Sequence, residues 1–457
     1  MAMSLSTPEK IRTLQRKLYC KAKAEPAYRF YALYDKICRE DILHHAWEKA
    51  CANAGAPGVD GVGFVQIEAS GVAAWLAALR EELVSKTYRP QAVRRVEIPK
   101  PGGGERPLGI PTIRDRVVQT AAKLVLEPIF EADMEDSAYG YRPKRGAGEA
   151  IRQVHQHLIR GYTDVVDADL SRYFDSIPHP ELMKSVSRRI CDRPVLHLIR
   201  MWLKAPVEEE GEDGTRTRTG GKHSKLGTPQ GGVVSPLLAN LYMNRFLKHW
   251  RLAGCGEMFR AQVVNYADDF VILSRGCADE ALAWTAQVMA RLGLTLNEAK
   301  TSLRDARNER FDFLGYAFGP HHRTKDGSLY TGASPSNKSL KRLKDKVSGM
   351  LVPGDKGAWP DVRDRLNGLL AGWSAYFGYG SVSLAYQAAD HHVVDRVRHF
   401  LASRHKVQNS GTIPFSRDAI FGEWGVRQLR CVHRTPRRGP GNEATRKAGC
   451  GKSARPV

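Results

Sequence analysis

Apolar positions change their period several times along the chain, and each change marks an element. Through residues 1–50 they recur every three or four positions, as at Ile11, Leu14 and Leu18 and again at Phe30, Leu33 and Ile37, which is helical spacing. The turn-rich run AGAPGVDGVG (54–63) breaks that pattern. Trp75, Leu76, Leu79 and Leu83 then line one face of a helix predicted over 72–84. From Tyr88 to Pro111, short apolar and basic stretches flank the glycine run of PKPGGGERPLGIP, which reads as a hairpin with a flexible basic tip. Helices are predicted over 113–131 and 145–160. The segment TDVVDADL (163–170) reads as a buried strand ending in acid, and QVVNYADDFVILS (262–274) as two β-runs separated by a carboxylate turn. A helix over 278–292 and a strand over 311–318 complete a mixed α/β unit.

The pattern shifts again near Gly319. HHRTKDGSLYTGASPSNKS is polar and reads as a loop. After it, LKRLKDKVSGML and DVRDRLNGLLAGWSAYF are helical, the second carrying Val362, Leu366, Leu369, Leu370 and Trp373 on one stripe. The stretch from Cys431 to Val457 is rich in Arg, Lys, Gly and Pro and poor in apolar residues, so disorder is expected there. There is no internal repeat.

Charge narrows the function. At 457 residues the chain should divide into two or three folding units, and its 70 Lys plus Arg against 49 Asp plus Glu leave a net +21. So large an excess calls for a polyanionic partner, nucleic acid or an anionic membrane surface. No window offers the roughly 18 uninterrupted apolar residues of a spanning helix, and the first residues lack the apolar core of a secretory signal. Nucleic acid is therefore the expected partner, no membrane is involved, and the expected location is the cytosol. The eight cysteines form no C-x-x-C pair, which argues against a zinc module and a disulfide framework.

Three carboxylates stand out. Asp169 ends the apolar strand in VVDADLSRYFDSIPH, and Asp268 and Asp269 lie together between β-runs in VVNYADDFVIL. Burying adjacent like charges in apolar flanks is costly unless a cation neutralises them. Hard oxygen ligands at the ends of neighbouring strands suit Mg²⁺, which takes one or two protein carboxylates plus substrate phosphates. Two such ions activate a 3′-hydroxyl and stabilise a leaving pyrophosphate. An isolated Asp-Asp pair is equally consistent with a polar hairpin turn.

The surroundings of that pair resemble a known family. YADD within NYADDFVIL resembles the metal-binding hairpin of reverse transcriptases, in the form typical of the group II intron branch. PGVDG (57–61) resembles the family's N-terminal extension motif, and IPKPGGGERPLGIPTIRDRVVQTA its fingers hairpin. SAYGYRPKRGAGEAI resembles the next block, DADLSRYFDSI the first palm strand, and LGTPQGGVVSPLLANLYMN the dNTP-site block. GLTLNEAKTSL and FDFLGYAF resemble the two blocks after YADD, so that ordered matches cover most of residues 55–320. With less specificity, RLNGLLAGWSAYFGYG, VDRVRHFLASRHKV and FGEWGVRQL are similar to the thumb and maturase region of group II intron proteins.

The resemblance implies an α/β right-hand polymerase, with fingers–palm and a mixed sheet, plus an α-helical thumb/maturase region. The implied domains are an N-terminal extension (1–85), fingers–palm (86–320), thumb/maturase (335–430) and a basic disordered tail (431–457). It implies RNA-directed DNA synthesis with two Mg²⁺ ions, or Mn²⁺ in their place, held by Asp169, Asp268 and Asp269. Lys100 and Arg106 would neutralise triphosphate charge. Phe174 would lie beneath the sugar and exclude a 2′-hydroxyl. Gln230 would lie near the incoming nucleotide, with Gly231 allowing close backbone approach, and Lys300 would protonate the departing pyrophosphate. Expected partners are structured intron RNA, an RNA template with a DNA primer, and target DNA. Arg396, Arg398, Arg404 and Lys406 would grip RNA from the basic thumb helices. A paired-cysteine endonuclease found in many members is expected to be absent. Two rivals stand beside this reading: the same scaffold adapted to phage defence or CRISPR spacer acquisition, and an RNA-binding splicing factor without catalysis.

Overall fold

A computed structural model describes residues 6–99, 104–211, 215–323, 326–352, 354, 357–407 and 414–429, apart from the Lys222 side chain. The chain divides into two compact units, Met1–Ala333 and Ser334–Val457.

The first unit is built on three sheets. Strands β1 (Val93–Pro99), β2 (Glu105–Ile110), β4 (Pro206–Glu210) and β5 (Arg216–Gly220) form a mixed sheet in the order β2-β1-β4-β5. In it β1 runs parallel to β4 and antiparallel to β2. Strands β3 (Asp164–Asp169), β6 (Ala261–Tyr266), β7 (Asp269–Ser274) and β8 (Ser302–Asp305) form an antiparallel sheet in the order β6-β7-β3-β8. Strands β9 (Phe311–Phe313), β10 (Tyr316–His322) and β11 (Leu329–Pro335) form the third.

The β6-β7-β3-β8 sheet is central because its strands are apolar where they are covered. Val165, Val166 and Ala168 of β3 and Phe270 to Leu273 of β7 are buried. Helix Ser235–Leu252 is buried along most of its length, with Leu238, Tyr242 and Phe246 fully enclosed. Helix Ile113–Glu131 is equally enclosed, and its start is fixed by Thr112, whose side chain accepts the Asp115 amide as an N-cap. The N-terminal helices Glu9–Ala24, Glu40–Ala52 and Val72–Val84 contribute Ile11, Ile42, Trp47 and Leu79 to this same core. Residues 6–85 thus share their core with the sheets that follow.

Three segments differ from the sequence expectation. The helical spacing read through Phe30 and Leu33 is not continuous: residues 25–33 are non-helical, and Phe30 forms a parallel bridge with Ile190. The single strand expected over 311–318 is two, because Leu314 and Gly315 take positive φ (49° and 79°) and reverse the chain between β9 and β10. The polar run after Gly319, expected as a loop, contains the end of β10 and β11. Strands β4 and β5 had no hydrophobic signature at all. β5 is exposed at every position, and the pair is laced by charge, with Arg218 donating to Glu208 at 2.8 Å.

The second unit is helical: Asn337–Met350, Trp359–Tyr376, Ser383–Arg404 and the short Arg417–Phe421. Leu343, Val347, Leu366, Leu370, Val393, Val397 and Leu401 make its core. Val362, Leu366 and Leu370 of the expected stripe are buried, with Leu369 and Trp373 packed at the margin. The basic tail 431–457 lies outside the described residues. Among the described residues, no helix is long and apolar enough to cross a membrane.

Candidate active site

The antiparallel register brings the three carboxylates together. Asp169, the last residue of β3, is the direct cross-strand partner of Asp269, the first residue of β7. Asp269 in turn faces Tyr266 across the β6–β7 hairpin, leaving Ala267 and Asp268 as a two-residue turn. Three residues from two distant segments therefore share one end of the sheet.

That turn is strained and held from outside. Ala267 adopts φ +60°, a left-handed conformation that costs an L-residue about 1–2 kcal/mol. The buried amide of Asn265 supports it, its Nδ2 donating to the Ala267 carbonyl at 2.8 Å. The backbone of Asn265 is tied on both sides to the segment before YRPKRG: its N–H donates to Ser137 O and its carbonyl accepts from Tyr139 N, each at 2.8 Å. Gly140 then sits against the turn so closely that a Cβ there would lie 2.5 Å from the Ala267 nitrogen. Asn240, from the central helix, donates to the Gly140 carbonyl at 2.5 Å. Sequence reading gave no role to Asn265 or Gly140. The available signal was a short amide and a glycine beside a turn that demands positive φ.

Electrostatics follow from the crowding. Burial, then repulsion from Asp268 and Asp169, pushes the Asp269 pKa up to about 6, although its side chain reaches the surface of the cleft. Burial likewise raises Asp268, with Asp169 adding to the effect and the positive charges of Arg106 and Lys300 opposing it. Asp169 is better compensated: its Oδ2 accepts from Lys300 Nζ and from Asn297 Nδ2, both at 3.1 Å. Tyr141, at positive φ beside this group, also has its pKa raised, by burial and then by Asp268.

The residues expected beside the nucleotide are placed by the loop Gly227–Val234. Thr228 N donates to the Phe174 carbonyl at 2.7 Å and Gly227 N to that of Ile177, which stitches the loop to the segment after Asp169. Phe174 is half-buried, edge-on to Tyr173 at 5.8 Å. Tyr173 is a core residue whose hydroxyl donates to Ala239 O. Gln230 and Gly231 form the tip of the loop. Its base is held by Gln119, whose buried Oε1 accepts the Val233 amide at 2.8 Å. Gly109 N donates to Gln230 O, and Gly231, at φ +109°, lies directly against the Gly109 carbonyl, where no side chain fits. The fingers hairpin and this loop therefore meet backbone to backbone. Arg106 is exposed on β2 opposite Ile98. Lys100 lies outside the described residues.

In the second unit Arg396 and Arg398 are partly occupied in structure. Arg396 donates to Leu351 O, and Arg398 donates to Phe415 O and lies 3.6 Å from Asp395. Arg404 and Lys406 are exposed, although Arg404 also donates to Gly357 O at 2.7 Å.

Among the described residues, no three His, Cys, Asp or Glu side chains stand close enough to cage an ion by themselves. The residues nonetheless fit a divalent cation. They are hard oxygen donors on adjacent strand ends, and burial together with their mutual repulsion raises the Asp269 pKa to about 6. A cation relieves that repulsion, and Mg²⁺ in particular completes its shell with substrate phosphates and water.

Comparison with known proteins agrees with the geometry. The reverse transcriptase (RNA-dependent DNA polymerase) family model matches residues 98–318, and that of the group II intron maturase-specific domain matches 340–414. The chain is 35% identical over 344 residues to protein YkfC of Escherichia coli, covering 67% of this chain and 87% of YkfC. It is 34% identical over 221 residues to the group II intron-encoded protein LtrA of Lactococcus lactis, covering 48% of this chain and only 35% of LtrA. A 91 kDa protein in the cob intron of Schizosaccharomyces pombe is 28% identical over 374 residues, 65% of this chain and 45% of that one. Fingers–palm sheets with the carboxylate hairpin at the sheet end, followed by a helical unit, are the right-hand polymerase plan. The chain belongs to the group II intron-encoded reverse transcriptase/maturase family.

Proposed function

We propose that this protein extends a DNA primer on an RNA template with Mg²⁺ as its cation, two ions per site, and binds structured intron RNA to assist splicing and mobility. The observation that carries the catalytic part is the pairing of Asp169 with Asp269 in the β3–β7 register, with Asp268 on the adjoining turn. Bound Mg²⁺ supplies charge for activating the primer 3′-hydroxyl and for stabilising the leaving pyrophosphate.

The chain's own residues do the rest. The carboxylates of Asp169, Asp268 and Asp269 hold the cations. Lys300, already on the Asp169 carboxylate, serves as proton donor to the leaving group. Arg106, whose charge is felt at Asp268, neutralises the triphosphate from the fingers hairpin together with Lys100. Phe174 supports the deoxyribose and crowds a 2′-hydroxyl. Gln230 and Gly231 form the loop tip beside the incoming nucleotide, glycine being required at 231 because the Gly109 carbonyl fills the space of a side chain. Arg404 and Lys406 contact RNA phosphates from the helical unit, with Arg396 and Arg398 contributing where their remaining N–H groups are free. Target DNA at the nucleoid of a bacterial cell is the second nucleic-acid partner.

The test is metal-dependent primer extension with Asp268→Ala. Synthesis is expected to fall to background while RNA binding stays within a few-fold of wild type. Extension near the wild-type rate in Mg²⁺ would remove Asp268 from the centre.

A further inference from the structure

The first unit carries a second polar pocket at the other end of the central sheet, enclosing about 670 Å³. Asp164, Arg260, Arg275, Asp279, Arg304 and Arg307 are among its walls. Asp164 opens β3 and Asp169 closes it, so five residue steps, about 17 Å, separate this pocket from the catalytic carboxylates. It takes no part in the chemistry described above.

The charges in the pocket are not evenly matched. Asp164 accepts the Gly276 amide at 2.6 Å and lies 3.6 Å from Arg307. Arg307 is clamped on Asp305, with Nε at 2.9 Å and Nη2 at 3.1 Å. Arg304 pairs with Glu309 at 2.7 Å. Asp279 sits in the first turn of helix Ala278–Arg291, where a negative charge favours the helix end. Arg260 and Arg275 remain. They extend the β6–β7 ladder one pair beyond Ala261 and Ser274, the Arg275 amide donating to the Arg260 carbonyl at 3.1 Å.

Among the described residues, neither arginine has an ion-pair partner. Arg275 lies with its guanidinium 4.2 Å from the Tyr162 ring centroid and donates to Arg160 O, which fixes its plane without neutralising it. Like charges directly opposite on paired strands repel. Arg260 also takes φ +46°, a conformation that arginine does not favour. Both guanidiniums are exposed and line the pocket without a carboxylate partner among the described residues, and each offers the donor pattern that suits phosphate oxygens.

We propose that this pocket is an accessory phosphate site that seats a phosphodiester of folded RNA, at the opposite end of β3 from the catalytic carboxylates. The occupant is RNA rather than a free phosphate compound for two reasons. The pocket is open along the sheet edge, and the chain carries a net +21 suited to a long polyanion. The proposal rests on the RNA-binding reading above, and its test is independent of catalysis.

The experiment compares wild type, Arg260→Gln and Arg260→Gln/Arg275→Gln by filter binding to an in vitro transcript of a group II intron ribozyme core, from 50 to 300 mM KCl. If each arginine neutralises one phosphate, the double variant loses roughly 1.4–1.8 from the log–log salt slope and Arg260→Gln about half of that. Affinity at low salt should fall roughly tenfold or more. Primer extension on oligo(dT)–poly(rA) should stay at the wild-type rate, which also shows that the variants are folded. Equal affinity and slope for all three proteins would overturn the proposal. So would displacement of the transcript from the wild-type protein, but not from the double variant, by millimolar inorganic phosphate at constant ionic strength, which would make the site one for a small anion. Loss of primer extension by the double variant would also overturn it, because the site would not be separate from catalysis.

Discussion

Gly140→Ala isolates the contact that positions the carboxylate hairpin proposed as catalytic. Gly140 has no positive φ, so alanine meets no backbone penalty there and the effect is purely one of space. The added Cβ would stand 2.5 Å from Ala267 N and 3.0 Å from the Tyr266 carbonyl carbon. Ordinary non-bonded separations are about 3.5 Å, so one side must retreat by about 1 Å. The Gly140 side cannot retreat alone. Its carbonyl is held by Asn240, and the segment before it by two backbone hydrogen bonds to Asn265. The hairpin turn, already strained at Ala267, is the softer element, and it carries Asp268. A misplacement of about 1 Å near reacting groups costs on the order of 10²-fold in rate. Overpacking of this kind lowers stability by about 1–3 kcal/mol. We therefore expect kcat for primer extension to drop about a hundredfold, with KM for dNTP and the affinity for template RNA changed only a few-fold. Single-turnover extension with saturating primer–template measures the rate, and thermal unfolding confirms that the variant is folded. A folded Gly140→Ala enzyme that extends primers within threefold of wild type would refute the claim that the turn position is set from this side.

Phe174→Ala should raise the ratio of kcat/KM for rNTP over dNTP by tenfold or more if the ring bars the 2′-hydroxyl; an unchanged ratio would make Phe174 a packing residue only. The raised Asp269 pKa gives a pH dependence whose sign is fixed. Its carboxyl keeps a proton up to about pH 6, so protons compete with the cation, and the Mg²⁺ concentration for half-maximal activity should climb as pH falls from 7.5 through 6. In metal-free protein the same raised pKa favours the fold at low pH and loses that advantage as pH rises from the ordinary carboxylate range to about 6. Asp269→Asn should therefore raise Tm by clearly more at pH 7.5 than at pH 5. An equal Tm shift at both values would remove the charge argument. Neutralising Arg404 and Lys406 should weaken intron RNA binding and splicing, whereas Asp268→Ala with Asp269→Ala should leave splicing intact; the reverse pattern would break the proposed separation of roles.

Much of this centre was legible because its chemistry is written in contiguous runs. VVDADL and VVNYADDFVIL each pair an apolar strand with a terminal acid, and period-two and period-3.6 patterns placed most helices and the palm strands closely. What the pattern did not carry was anything decided by long-range backbone contact. Gln119 holds the loop before helix Ser235–Leu252 across 114 residues through one side-chain oxygen, and no local period marks it. Strands β4 and β5 are stabilised by cross-strand charge on an exposed edge, so hydrophobicity is silent there. The reversal at Leu314–Gly315 was hidden because FDFLGYAF is apolar on both sides of it.

These omissions share a physical cause. The site is assembled from segments far apart in sequence, and their mutual positions are fixed where backbones touch: Gly140 on Ala267, Gly231 on Gly109, Gly58 on Thr112. At each of these a Cβ would lie within 3 Å of another segment's backbone, closer than non-bonded atoms approach. Side-chain packing in the core tolerates exchange among apolar residues, because neighbours shift to fill or vacate volume. Backbone-on-backbone contact has no such freedom, since every atom in it is also held by the chain and its hydrogen bonds. The geometry of the carboxylates is therefore set less by the residues that carry charge than by the glycines that let three segments approach. It follows that substitutions at these glycines should separate catalysis from stability more sharply than equivalent changes in the apolar core.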